Sequence, residues 1–225
     1  MGQKHADVAA YGHLTHDTIF EGFEEKTTLG ALVNFWAGIV KTGEDINIRL
    51  IPSSIGKAVI LVDKPSATRV GRGHLNIKTR KIQAAHADWH HVMYLNQLQD
   101  LEFLEQIETG AISADITSGT PPADSVLSKL DFLFISDEDL FEPVEQLARK
   151  VKGWVIMHHA AGGYCSNGDD SFELKTEKIQ NINVLGAGDI FAASFISKKL
   201  KTDSSIEECV KYAHKQTTKF LLEEK

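Results

Sequence analysis

The chain has 225 residues, enough for a single domain over 1–225, and at 42% hydrophobic and 24% charged its composition is that of a globular protein with a substantial core. Its 31 acidic residues against 24 lysines and arginines give a net charge of −7, and no basic stripe offsets this, so nucleic acid is not an expected partner. Two cysteines, Cys165 and Cys209, make no disulfide framework, and neither a membrane-length apolar run nor a signal-peptide core is present; a reducing, cytoplasmic setting is the expectation.

Asp7 to Leu14 reads as a first strand ending near Gly12, with Thr15-His16-Asp17 beyond its C-terminal end, where ligands bind in open α/β sheets. Asp17 can accept hydrogen bonds from a polyol or serve a turn. Glu21 to Thr28 is polar and reads as a loop or a short exposed strand. Leu29 to Thr42 reads as a buried, nearly all-apolar helix with Gly43 just past its end; Asn34 is the polar exception and needs a backbone or ligand partner. Ile46–Ile51, Lys57–Asp63 and Ala67–Val70 read as strands, and Arg72 to Lys81 as a basic surface loop.

His86, His90 and His91 raise a metal reading, but Trp89 to Leu95 has the pattern of a strand, which breaks the i, i+4 geometry of paired histidines on a helix. From there strands and short helices alternate. Helices near 98–108, 123–129 and 143–150 are followed by strands at Ala111–Ile116, Asp131–Ile135 and Trp154–His158, the rhythm of a parallel sheet covered on both faces. Asp115 and the cluster Ser136-Asp137-Glu138-Asp139 fall at strand ends; the acids suit Mg²⁺, a hard cation, or the dipole of a helix start. Ala160 to Asp170 reads as a hairpin loop, Ser171 to Lys178 as a further strand, and Ile206 to Leu221 as a terminal amphipathic helix.

The stretch with chemical content is Asn183-Val184-Leu185-Gly186-Ala187-Gly188-Asp189, followed by the apolar run Ile190 to Phe195. Glycines admit a ligand close to the backbone, the free amides of a helix start form an anion site, and Asp189 stands in the first turn beside it. An anion cradle next to a carboxylate suits phosphoryl transfer, in which the amides hold spreading charge and the carboxylate deprotonates a hydroxyl.

In this order the pieces resemble the PfkB (ribokinase-like) carbohydrate kinases, from about Val8 to about Lys219. Asn183 to Asp189 matches the family's D-T-x-G-A-G-D signature, Leu29 to Asn34 its G-G-x-x-x-N segment, and Gly12 to Asp17 its first strand and substrate-contacting Asp. The resemblance implies an α/β, three-layer ribokinase-like fold, with a central mostly parallel sheet, helices on both faces and a reduced lid near residues 18–29. It implies transfer of the γ-phosphoryl of ATP, with Mg²⁺, to a hydroxyl of a sugar, nucleoside or related alcohol. Asp189 would be the general base, with the amides of Gly186, Ala187 and Gly188 as anion hole. Asp17, Gly30 and Asn34 would contact the acceptor. His158, Ala160 and Gly163 would lie by the nucleotide, His214 near adenine, and Asp139 at the metal. A homodimer is implied where such lids build the contact.

The chain departs from the pattern at several points. Asn183-Val184 replaces Asp-Thr, Ser136 to Asp139 replaces N-x-x-E, His158-His159-Ala160 replaces T-x-G, and Leu29 stands for the first glycine of the N-terminal pair. A second reading follows from these departures: a catalytically weak relative that binds sugar or nucleotide as a sensor or partner. A dinucleotide binder does not fit, because no G-x-G-x-x-G follows the first strand.

Overall fold

The computed structural model describes residues 5–73 and 78–223. In chain order its first elements are β1 (Ala6–Glu21), β2 (Glu24–Ala31), α1 (Leu32–Lys41), β3 (Ile48–Asp63), β4 (Thr68–Gly73), β5 (Lys78–Thr79) and β6 (Ala87–Val92). They are followed by β7 (Ala111–Ile116), α2 (Asp124–Leu127), β8 (Phe132–Ser136), α3 (Val144–Ala148), β9 (Trp154–His159), β10 (Gly162–Ser166), β11 (Ser171–Lys175), α4 (Ala187–Lys201) and α5 (Ile206–Glu223). The sheet is large and mostly parallel, and helices flank it. The chain forms two compact units, and β1 and β3 each run through both.

The first unit holds residues 1–12, 47–51 and 81–177. Its strands lie in the order β11-β10-β9-β8-β7-β6-β1, parallel from β1 to β9 and antiparallel at β10 and β11. A parallel strand covered on both faces is apolar along its whole length, and Phe132 to Ile135 of β8 are all buried. The core gathers Tyr11, Val92, Phe103, Leu127, Leu133 and Val155. Buried polar groups here are tied strand to strand. Trp89 Nε1 donates to Ser113 Oγ at 2.7 Å, and His91 Nδ1 lies 2.9 Å from the same oxygen. Tyr11 Oη accepts the amide of Ala85 at 3.0 Å and meets His90 Nδ1 at 3.0 Å. Burial pushes the His90 imidazole below its ordinary pKa and so keeps it neutral. The neighbouring histidines thus point to opposite faces of β6 as structural partners.

The second unit holds residues 13–46, 52–80 and 178–225. The outer half of β1 pairs with β2, and the outer half of β3 pairs with β4 and β5, all antiparallel. Ile19, Ile60 and Val62 share one sheet face and form a small buried cluster with Leu185. Helix α1 packs on α4, and α4 on α5. Every residue of α4 from Asp189 to Ser197 is buried, as expected of a helix without a polar face. Helix α5 opens with a capping box: Glu208 Oε2 accepts the Ser205 amide at 2.8 Å, and Ser205 Oγ accepts the Glu208 amide at 3.2 Å. No helix among the described residues is long and apolar enough to cross a membrane.

Several expectations are corrected. The first strand does not end near Gly12 but runs to Glu21, because β2 offers it an antiparallel partner. For the same reason Leu29 to Ala31 belong to β2, and the helix starts at Leu32 after Ala31 turns at φ 55°. That helix is not covered all round, since Trp36 is 44% and Val40 54% exposed. The expected strands Ile46–Ile51 and Lys57–Asp63 merge into one, Ile48–Asp63, across Pro52, held by β4 and β5. The helix near 98–108 is two short 3-10 turns, Leu95–Gln97 and Glu102–Gln106. Its buried residues, Leu95, Leu98, Phe103 and Leu104, are spread around a helical wheel, so no single α-helical stripe could bury them. Within the expected hairpin loop 160–170, residues Gly162–Ser166 are a strand paired on both sides. Of the expected basic loop 72–81, residues 72–73 instead end β4 and 78–79 form β5, and 74–77 lie outside the described residues.

Candidate active site

Asp17, Gly30, Asn34, Gly186, Ala187, Gly188, Asp189 and His214 all fall in the second unit. Asp17 lies within β1, not beyond its end, and is only 5% exposed. It shares a strand face with His13 and Thr15, which are also buried. Gly30 stands opposite Thr15. A Cβ built on Gly30 would lie 1.8 Å from Asp17 Oδ2 and 2.9 Å from Thr15 Oγ1. The glycine is what lets the carboxylate fold over β2. His13 Nδ1 meets the hydroxyls of Ser54 and, at 3.3 Å, Ser53, which extends the buried polar face onto β3. Sequence reading missed His13, Ser53 and Ser54, and placed Thr15 beyond the strand instead of within it. The signal on β1 is the polar parity at 13, 15 and 17, which a strand ending at 12 conceals.

The signature loop sets up the start of α4. Gly186 adopts the left-handed conformation, φ 77°, which glycine allows without strain. Asn183 Oδ1 accepts the Leu185 amide at 2.9 Å, so the residue that replaces an aspartate makes an Asx turn. The first i to i−4 bond of the helix runs from the Ile190 amide to Gly186 O at 3.0 Å. Helical geometry gives the Gly188 and Asp189 amides no intrahelical acceptor, which is the arrangement an anion hole needs. The Ala187 amide, expected to be part of that hole, donates to Val184 O at 3.1 Å in this conformation.

Asp189, in the first turn of α4, is 5% exposed. Its Oδ2 accepts a hydrogen bond from Asn34 Nδ2 at 3.1 Å. Asn34 sits in the first turn of α1, and a Cβ at Gly186 would rest 3.7 Å from its Nδ2. Asn34 thus finds a partner in the Asp189 side chain, where a backbone or ligand partner is the expectation. His214, on α5, packs edge-on against Phe191 with ring centroids 5.0 Å apart.

The remaining expected residues lie in the first unit. His158 of β9 and Gly163 of β10 are a cross-strand pair, and Ala160 is in the two-residue turn between them. Gly162, at φ 137°, admits β11: a Cβ there would lie 1.9 Å from Leu174 O. Asp139 closes a 3-10 turn, Asp137–Asp139, whose start is capped by Ser136 Oγ accepting the Glu138 amide. Among the described residues no group of three His, Cys, Asp or Glu side chains is arranged to hold a metal ion.

No curated protein matches the chain. Solved structures do. Adenosine kinase from Sinorhizobium meliloti superimposes with a TM-score of 0.73 at 13% identity, over 95% of this chain and 93% of that one. Ribokinase from Thermotoga maritima gives 0.67 at 16%, over 91% and 89%. Fructokinase from Vibrio cholerae O395 gives 0.64 at 14%, over 98% and 99%. At these identities the likeness establishes the ribokinase-like fold. The family model described as "pfkB family carbohydrate kinase" matches residues 79–217, more than half of the chain, and the protein therefore belongs to the pfkB family of carbohydrate kinases.

Proposed function

We propose that the protein is an ATP-dependent kinase that phosphorylates a hydroxyl of a sugar or related small alcohol, with Asp189 as general base. The observation that carries this is the buried Asp189 carboxylate, tethered at one oxygen by Asn34, at the start of a helix whose first-turn amides are unused within it. The Asp189 carboxylate takes the proton of the acceptor hydroxyl as the hydroxyl oxygen bonds to the γ-phosphorus. The bond from that phosphorus to the β–γ bridging oxygen breaks, and ADP leaves with the electron pair. A carboxylate is a weak base, and this suffices because in a loose transition state positioning and electrostatics carry most of the catalysis. The amides of Gly188 and Asp189, with Gly186 giving the loop its shape, hold the charge on the transferring group.

Asp17, with Gly30 beneath it, is the acceptor's hydroxyl ligand in this reading, and the family pattern assigns Asn34 there too. The same pattern assigns His158, Ala160, Gly163 and His214 to the nucleotide. Mg²⁺ fits Asp139 in kind, since the ion takes one or two carboxylates alongside phosphate oxygens and water, and when bound it neutralises phosphate charge. A homodimer and a cytoplasmic location belong to the same proposal.

The test is an ADP-release assay against a panel of sugars and nucleosides, with Asp189→Asn as control. Acceptor-dependent turnover that falls about a thousandfold in the variant supports the kinase. Saturable sugar or ATP binding with no turnover would replace it with the sensor reading.

A further inference from the structure

Helices α1 and α4 touch at two levels, one turn apart. At the first, Asn34 Nδ2 donates to Asp189 Oδ2 at 3.1 Å. At the second, four residues further along each helix, Gly38 faces Ala193. A Cβ built at Gly38 would lie 2.6 Å from the Ala193 Cβ and 3.2 Å from the Ile190 Cα. Residues i and i+4 share a helix face, so 34 and 38 form one row on α1, and 189 and 193 form the facing row on α4. The second level consists of a missing side chain against a methyl group. It therefore sets how closely the first level can approach.

We propose that the Gly38–Ala193 contact fixes the spacing at which Asn34 holds Asp189, and that Asn34 and Gly38 are positioning residues for phosphoryl transfer. This rests on the reading of Asp189 as the base, and it moves Asn34 from acceptor binding to control of the carboxylate. Donation to Oδ2 restrains rotation of the carboxylate. The restraint comes from two packed helices, so the geometry is present before the acceptor arrives. A displacement of about 1 Å at such a contact is enough to cost on the order of a hundredfold in rate.

The experiment is steady-state kinetics on the full chain, with an acceptor found in the ADP-release panel, for Asn34→Ala, Gly38→Ala and the pair Gly38→Ala/Ala193→Gly. The two single variants lose about tenfold or more in kcat, with the acceptor KM within about threefold of the unmodified chain. The pair removes the colliding methyl and restores kcat to within about threefold. Three results overturn the proposal: Asn34→Ala raising KM with kcat retained, Gly38→Ala retaining kcat, or the pair regaining its melting temperature without regaining kcat. Urea unfolding of Asn34→Ala, Asp189→Asn and their combination gives a readout free of turnover. Coupled residues shift the midpoints non-additively, and additive shifts overturn the contact. If the unmodified chain shows no acceptor-dependent turnover, the kinase reading falls, and this cycle alone decides whether Asn34 holds Asp189.

Discussion

Replacing Gly30 by alanine tests the acceptor side of the site through a single methyl group. That methyl would lie 1.8 Å from Asp17 Oδ2, 2.7 Å from Asp17 Cγ and 2.9 Å from Thr15 Oγ1. All three atoms belong to side chains, so β2 can stay paired with β1 while the Asp17 carboxylate swings away. An off-rotamer side chain costs about 0.5–1.5 kcal/mol and a disturbed buried carboxylate about 1–3 kcal/mol. Replacing glycine in a strand returns part of this, about 0.4–1 kcal/mol. The net loss of stability should therefore be about 0.5–4 kcal/mol, read as a lower urea midpoint with an unchanged slope. A functional loss should accompany it. A charge-assisted hydrogen bond from an acceptor hydroxyl to Asp17 is worth about 1.5–3 kcal/mol, so the acceptor KM should rise about ten- to a hundredfold with kcat less affected. Because the effect runs through Asp17, adding Gly30→Ala to Asp17→Ala should change KM little further. An unchanged KM in Gly30→Ala, or a full additional loss in the double variant, would refute this account of the glycine.

Gly162→Ala makes a contrasting case, because its methyl meets a backbone oxygen, Leu174 O at 1.9 Å, which cannot rotate away. Strand β11 must separate from β10, and urea unfolding should show a loss of about 3 kcal/mol. The capping box of α5 should leave a mark on stability in acid. Hydrogen bonds from the Ser205 amide, and then its hydroxyl, hold the Glu208 carboxyl below its ordinary pKa. A lowered folded pKa gives stability that is present above the unfolded value and lost as pH falls through the folded one. Glu208→Gln, which removes the titrating carboxyl, should therefore flatten the acid limb of a melting-temperature profile, and an unchanged limb would show that the box contributes nothing there.

Much of the parallel sheet could be read in the sequence because its strands are short and strongly patterned. Ala111–Ile116 has the expected bounds, and Trp154–His159 differs by one residue. The second unit was less legible. Long antiparallel pairing decides where β1, β2 and β3 end, and it depends on partners far along the chain. Leu29 to Ala31 carry a helical pattern and are strand only because Leu14 to His16 pair with them. In the candidate site the glycines and carboxylates could be found by spacing. Their relations could not: nothing local shows that Asn34 reaches Asp189 across 155 positions, or that Gly38 must be small because Ala193 is there. The substitution of Asn183 for a carboxylate suggested a loss, yet in the fold the side chain shapes the loop before Gly186.

Strand β1 is buried on both faces from Val8 to Gly12 and then alternates, with Thr15, Asp17 and Ile19 turned inward. Its inner half is in register with β6, where Ala10 pairs with His91, and its outer half is in register with β2, where Asp17 pairs with Thr28. Side chains in a strand obey parity, and a shift of one residue exchanges the two faces. Whether Asp17 points inward therefore depends on the number of residues between it and Ala10, as well as on its own identity. Loss or gain of one residue in that interval would turn His16 or Thr18 inward in place of Asp17 while altering composition hardly at all. Along this strand, counting matters more than chemistry, and variation should appear as substitutions or as paired insertions, not as single steps in length.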